Sequence, residues 1–392
     1  MMRYRFSSNR LIFVVLPMAG VYIHIPFCKQ ACHYCDFHFS TSRQQEEAVL
    51  AAMHREIILR KDFLSAPVST IYFGGGTPSL LSSESIANLL STIHQHFSIN
   101  ADPEITMEAN PDDVNPDRAL AWKKAGINRI SLGVQSFRNE WLEWMNRAHH
   151  AEQSFQAIKD LQAAGFDNIS IDLIFGMPEQ TLEAWKEEIQ TALQFGIPHL
   201  SCYALTPEPK TALWHMIESG KTLQIDSDQQ ARMFLQLMEN MELAGYEHYE
   251  ISNFALPGKR SRHNSAYWKK IPYLGIGPSA HSYNGEERMW NIKNNSLYQK
   301  AIKEDRLPLT SEKLSPAENW NESIMIALRT MEGIDLNEVE KRWGKKEVEQ
   351  LLQDADVKRE RQLIQLQDNH LRLTREGKLL ADQIAADFFK VP

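Results

Sequence analysis

Three of the four cysteines fall within eight residues, Cys28, Cys32 and Cys35, in the spacing C-x3-C-x2-C. Three thiolates from one short loop can grip three corners of a cubane [4Fe–4S] cluster. Such a cluster normally takes four thiolates, so one iron is left open to a small ligand. Cysteines this close pair poorly as disulfides, and the chain lacks secretory features. A Cys3His zinc site completed by His24, His33 or His38 is the competing reading. Structural zinc sites usually draw ligands as two separated pairs, and the sequence contains no second pair. The segment Gly20–Phe27 reads as a short buried strand that delivers the loop.

With 392 residues, 43% hydrophobic and 23% charged, the chain suits one large soluble domain plus a small one. A net charge of -8 argues against a nucleic-acid or anionic-membrane partner. The N-terminal stretch carries Arg3, Arg5 and Arg10 ahead of the apolar run Leu11–Leu16, a superficial likeness to a signal peptide. That run is six residues long before Pro17, shorter than a secretory core and far short of a membrane span. A cytoplasmic protein with no membrane span is the expectation.

Strands and amphipathic helices then alternate. Strands are expected at Gly20–Phe27, Thr70–Gly75, Glu104–Glu108, Arg129–Ser136, Asn168–Gly176 and His199–Leu205. Helices are expected at Gln44–Phe63, Glu84–Phe97, Pro116–Ala125, Ala151–Ala164 and Leu182–Phe195. Six βα repeats fall short of the eight a closed barrel needs, which predicts an α/β partial (β/α)6 TIM-like barrel, open on one side. Along these strands Ile130, Leu132 and Val134 oppose Ser131, Gly133 and Gln135, and Ile169 and Ile171 oppose Ser170 and Asp172. A filled barrel would be apolar on both strand faces, so the polar face predicts an interior ligand cavity. By the same alternation Cys202 points outward under a helix, as a core thiol.

Glycines at 74–76, followed by Thr77 and Pro78, end the second strand and let the backbone approach a ligand. Glu108 ends the third strand and Gln135 the fourth, Arg147 follows in the stretch Met145–Arg147, and Asp172 begins the stretch Asp172–Pro178. Together they bring carboxylate, amide and guanidinium to one rim. The cysteine loop, preceded by Tyr22, His24, Pro26 and Phe27, resembles that of the radical S-adenosylmethionine (SAM) superfamily. Within it the chain is similar to the group that holds the oxygen-independent coproporphyrinogen III dehydrogenases and the HemW-type haem chaperones.

The resemblance implies a [4Fe–4S] cluster on Cys28, Cys32 and Cys35. It also implies SAM contacts at Tyr22, Tyr34, Gly75, Gly76, Thr77, Glu108, Gln135, Arg147, Asp172, Thr206 and His281. Some members of the group hold a second SAM. Chains of the group start near Met18, which makes residues 1–17 an extension from a mis-called start.

Residues 18–255 are then the core barrel, and 256–310 carry the H-N-x-x-Y-W motif and complete the SAM pocket. That motif, His263, Asn264, Tyr267 and Trp268, resembles the chaperone branch. It implies a haem element with His263 as axial ligand and Lys259, Arg260 and Arg262 beside the propionates. Residues 311–392 are a small α+β winged-helix-like domain, with helices at Pro316–Met331 and Leu336–Trp343. A hairpin follows over Leu363–Leu373, turning at Asp368 and Asn369, and a last helix over Arg375–Phe389. This domain shows no basic stripe, which argues against DNA.

Two functions compete. One is a haem chaperone that passes haem to an acceptor protein, and the other is the SAM-dependent dehydrogenase. The dehydrogenase loop continues to a further cysteine, C-x3-C-x2-C-x-C, and carries a longer N-terminal arm. Here Asp36 and Phe37 follow the third cysteine, which favours the chaperone.

Overall fold

Apolar residues alternate with small or polar ones along each of six strands, and the chain uses this to build one curved sheet. The computed structural model describes residues 18–391, so the extension expected at 1–17 lies outside the described residues. Strands β1 (Ala19–Ile25), β2 (Val68–Gly75), β3 (Ile99–Ala109), β4 (Arg129–Gln135), β5 (Ile169–Phe175) and β6 (His199–Ala204) run parallel in that order. The expected helices between them form, within a few residues at their ends. Apolar faces pack outward under those helices, with Phe73, Ile130, Leu132 and Ile171 against Trp122, Leu161 and Ile189. Cys202 belongs to this core, as the alternation required.

The sheet is longer than six strands. β7 (Glu247–Glu250) and β8 (Asn253–Ala255) form a hairpin that adds antiparallel to β6. β9 (Tyr273–Ile276) pairs parallel with the far side of β1, and β10 (His281–Tyr283), β11 (Glu287–Asn291) and β12 (Leu309–Lys313) follow antiparallel. The order β12-β11-β10-β9-β1-β2-β3-β4-β5-β6-β8-β7 leaves β12 and β7 as the edges, so the barrel stays open. These added strands are each three to five residues long, too short for periodicity to reveal.

A buried polar cluster fastens the added strands. Glu56, on the helix Glu46–Leu59, accepts from Tyr298 Oη at 2.6 Å, Gly277 N at 2.9 Å, Asn291 Nδ2 at 2.8 Å and Arg60 Nη1 at 3.3 Å. Arg60 in turn donates to Gly275 O and Ser282 Oγ, both at 3.1 Å. One carboxylate thus satisfies donors from the β9 end, β11 and the helix Asn295–Lys303.

The C-terminal domain has its own core of Trp320, Ile324, Leu336, Leu351, Leu371 and Phe388. Its order is the helix Pro316–Leu328, β13 (Ile334–Asp335), the helices Leu336–Trp343 and Lys345–Glu360, then β14 (Ile364–Gln367) and β15 (His370–Leu373). This is a winged-helix order. Asp368 and Asn369, with φ of 51° and 61°, close the wing as expected of a two-residue hairpin. The sequence reading missed the helix Lys345–Glu360, which has five acidic and four basic residues and no basic stripe. The single last helix expected over Arg375–Phe389 is two short ones, Arg375–Lys378 and Ala381–Ala386. The domain docks on β7 through Ile251 N to Arg329 O (2.9 Å) and Met331 N to Tyr249 O (3.1 Å). Among the described residues no helix is long and apolar enough to cross a membrane.

Glu56→Ala should destabilise the protein by about 3–5 kcal/mol, because it strands a buried guanidinium. Glu56→Gln should cost less. Thermal melts of the two variants check this, and equal, small losses would show that the network contributes little.

Candidate functional site

The carboxyl ends of β2 to β6 converge on one cavity of about 400 Å³. Its wall takes Gly75 from β2, Glu108 from β3, Gln135 from β4, Asp172 from β5 and Tyr203 from β6. Five successive strands can line one space only if the sheet curls around it. The polar interior predicted from alternation is therefore real at this end.

Glu108 accepts from Tyr72 Oη at 2.8 Å and from Gly75 N at 3.2 Å. Asp172 accepts from Ser131 Oγ at 3.2 Å. Burial pushes Glu108 up to about 7, with Asp172 adding to the rise. Burial likewise pushes Asp172 up to about 6, against the pull of Ser201, Arg129 and Ser131. Gln135 adopts φ 65°, a left-handed conformation that non-glycine residues rarely take, at an irregularity in the pairing of β4 with β5.

The cysteine loop closes the cavity from above. Cys28 N donates to Ser40 O at 3.0 Å, pinning the loop's two ends together. Its far side is clamped by the turn at Met145–Arg147. His33 N donates to Met145 O (3.0 Å), Gln30 Nε2 to Asn146 Oδ1 (2.6 Å) and Asn146 Nδ2 to Ala31 O (2.7 Å). Arg147 spans the gap. Nη1 lies 3.3 Å from both Cys32 Sγ and Tyr34 Oη, while Nη2 donates to Asn110 Oδ1 at 2.7 Å and Gly133 O at 3.0 Å. Thr77 Oγ1 donates to Cys28 Sγ at 3.4 Å. Gly76 has no room for a side chain, since a Cβ would meet Phe27 O at 2.6 Å.

This donor set suits a cluster. Three half-buried thiols share one loop, and two of them already receive a hydrogen bond of the kind that stabilises thiolate. The zinc reading loses His24, whose two ring nitrogens are both engaged, while His33 and His38 each keep one nitrogen. His24 bonds Tyr22 Oη at 3.2 Å and His38 O at 2.9 Å, His33 donates to Trp144 O at 2.7 Å, and His38 pairs with Asn295 at 2.9 Å. Among the described residues no three His, Cys, Asp or Glu side chains are gathered tightly enough for a single ion.

Of the residues expected around SAM, the structure brings Tyr34, Gly75, Gly76, Thr77, Glu108, Gln135, Arg147 and Asp172 to this cavity. Three are elsewhere. Tyr22 stacks on Tyr72 with ring centroids 6.1 Å apart and lines a neighbouring cleft. Thr206 lies past β6, its hydroxyl turned to Ala204 O at 3.3 Å. His281 starts β10, several strands away from the cavity walls, and lines the same neighbouring cleft as Tyr22.

His263 departs furthest from expectation. Glu104 caps the helix Arg262–Trp268, accepting from Arg262 N at 3.1 Å and His263 N at 3.0 Å. The ring is driven into the barrel and both nitrogens are engaged, Nδ1 with Thr70 Oγ1 at 2.7 Å and Nε2 with Tyr267 Oη at 2.8 Å. Burial, with Arg129 adding, pushes its pKa down to about 3. As placed, this imidazole offers no lone pair to an iron. Asn264 starts the same helix, its N–H held by Ser261 Oγ at 3.2 Å. Tyr267 and Trp268 do reach the neighbouring cleft. Lys259 and Arg260 are tied to Asp167 and Glu247, and Arg262 to Asp102.

Sequence reasoning missed Asn110, Asn146 and Arg129, while Ser131 lines the cavity on the polar face that the alternation gave it. Asn146 carries the only visible signal, since it is one residue from Arg147. The others act through contacts between strands that no local pattern encodes.

The radical SAM superfamily profile matches residues 22–192 of the chain, and the HemN C-terminal domain profile matches residues 314–380. The heme chaperone HemW of Bacillus subtilis is 35% identical over 378 residues, spanning 95% of this chain and 99% of the relative. The heme chaperone HemW of Escherichia coli is 39% identical over 68% of this chain and 71% of its own. Among solved structures, coproporphyrinogen III oxidase (HemN) from Escherichia coli, described as a radical SAM enzyme, superposes with a TM-score of 0.83. It is 25% identical and covers 96% of this chain and 91% of its own.

Replacing Cys28, Cys32 or Cys35 by Ala should abolish the broad visible absorption of anaerobically reconstituted protein. Stoichiometric zinc without iron or sulfide would contradict the assignment. SAM should bind more tightly as pH rises through 6 and 7, because its cationic groups pair best with ionised Asp172 and Glu108. Equilibrium dialysis across that window checks this. Asp172→Ala should weaken binding roughly 10- to 100-fold, the value of a hydrogen bond to a charged group, with the cluster spectrum unchanged.

Proposed function

The chain belongs to the HemW family of heme chaperones within the radical SAM superfamily, and on that premise we propose that it binds haem and passes it to acceptor proteins. The observation that carries this reading is the match to haem chaperones along nearly the whole chain. In this reading Cys28, Cys32 and Cys35 hold one [4Fe–4S] cluster. Glu108, Gln135, Arg147 and Asp172 hold a single SAM beside it. When bound, the pair supplies a low-potential iron centre with an open site that chelates SAM. Arg147 keeps the loop over that site, Thr77 steadies Cys28, and Glu108 and Asp172 offer charge to the ligand's cationic groups. The protein works in the cytoplasm, and its partner is a protein that lacks haem until it is delivered.

The second reading, a SAM-dependent decarboxylase of coproporphyrinogen, is favoured by the likeness to coproporphyrinogen III oxidase. Phe37 stands against it. Its ring is 64% exposed at the position where the dehydrogenase loop carries a further cysteine. It lines both the cluster cavity and the neighbouring cleft. A bulky apolar side chain there suits a wall between two ligands better than a fourth sulfur.

Reconstituted protein given coproporphyrinogen, SAM and a reductant under argon should form no protoporphyrinogen, yet should bind ferric haem saturably. Robust decarboxylation would reverse the order of the two readings.

A further inference from the structure

The haem-chaperone reading assigns no residue to the iron, and His263 is unsuited to the role as placed. Four cavities are large enough to compare, and one of them, of about 650 Å³ beside Trp290 and Leu309, shares His281 and Lys293 with the cleft described below. The one below the cysteine loop is lined by the groups given to cluster and SAM. A second, of about 860 Å³, lies where Ala19 and Thr70 at the strand starts face the C-terminal domain. No histidine lines it, because His263 turns inward to Thr70.

The third cavity, of about 710 Å³, opens between the cysteine loop, the β10–β11 hairpin and the helix Pro316–Leu328. That volume lies within the ~300–1,000 Å³ typical of ligand sites. We propose that this cleft holds the haem and that His281 ligates its iron. The inference rests on the haem-chaperone reading and adds the place and the ligand.

His281 is the histidine in the cleft best free to ligate. Its ring stacks on Trp290 at 6.0 Å between centroids, which orients it. Among the described residues no hydrogen bond occupies either ring nitrogen, so a lone pair is available to a metal. His24 has both nitrogens engaged, and His38 has Nε2 paired with Asn295.

The walls suit a flat, amphipathic macrocycle. Tyr267, Trp268, Tyr283 and Phe37 offer aromatic surface, and Met325 and Ile326 offer aliphatic surface from the C-terminal domain. Trp268 Nε1 is buried without a hydrogen-bond partner, an unsatisfied donor on a residue of this wall. Cations gather at the rim. Lys270 (2.8 Å) and Arg288 share the one carboxylate of Glu322, and Lys293 donates to the main-chain oxygen of Asp36 at 3.3 Å. Propionates could pair with these cations. Asp36 also lines the cleft and opposes it in part.

The test uses the full chain, anaerobically reconstituted, titrated with ferric haem and then reduced for resonance Raman spectroscopy. Wild type should bind one haem with an iron–histidine stretching band. His281→Ala should lose that band, shift the Soret maximum and bind at least ~10-fold more weakly, with the cluster signal unchanged. Lys293→Glu, an exposed change, should weaken binding while keeping the band. Should His281→Ala melt early, Met325→Trp, which fills the cleft from the other domain, must lower occupancy for the proposal to stand. An unchanged band in His281→Ala, or displacement of haem by saturating SAM, overturns the assignment and leaves the haem-chaperone reading intact. Wild type that takes up no haem saturably overturns that reading instead.

Discussion

Enclosing a polar strand face costs free energy unless each donor and acceptor finds a partner. This constraint shapes the barrel. Toward the strand starts the interior is filled by Tyr72, Thr70 and the pair His199–Ser170 (2.6 Å), and His263 is inserted as one more hydrogen-bonded plug. Gly20 leaves space for that imidazole, since a Cβ there would come within 3.4 Å of it. At the strand ends the side chains of the described residues surround the cavity of about 400 Å³. There Glu108 and Asp172 remain under-neutralised carboxylates, the condition for holding a cationic ligand.

The cysteine loop is held by contacts from distant parts of the chain. Gln30 and Ala31 are tied to Asn146, His33 to Trp144 and Met145, and Leu213 N donates to His33 O at 2.7 Å. A loop fixed on three sides can present its thiols together before a cluster arrives, which lowers the ordering cost of binding. Arg147 adds a cation beside thiolates that would otherwise repel one another.

The β9–β12 extension and the C-terminal domain create a second space beside the first. Glu56 gathers donors from the β9 end, β11 and the helix Asn295–Lys303, and β10 with its His281 is carried between β9 and β11. Phe37 belongs to the walls of both spaces. The two cavities are thereby neighbours that share one apolar side chain.

The six parallel strands, their helices and the outward thiol of Cys202 were legible in the sequence, because period-two and period-3.6 patterns are local. So were the three cysteines, by their spacing, and Glu108, Gln135 and Asp172, by their places on the strands. Tertiary structure decided the rest. Whether His263 faces a ligand or the barrel depends on Glu104 and Thr70, more than 150 residues earlier in the chain. The placement of His281 depends on a strand, β9, too short to announce itself and joined to β1 across some 250 residues. A motif names its residues, but the direction of an imidazole is set by partners that only folding brings together.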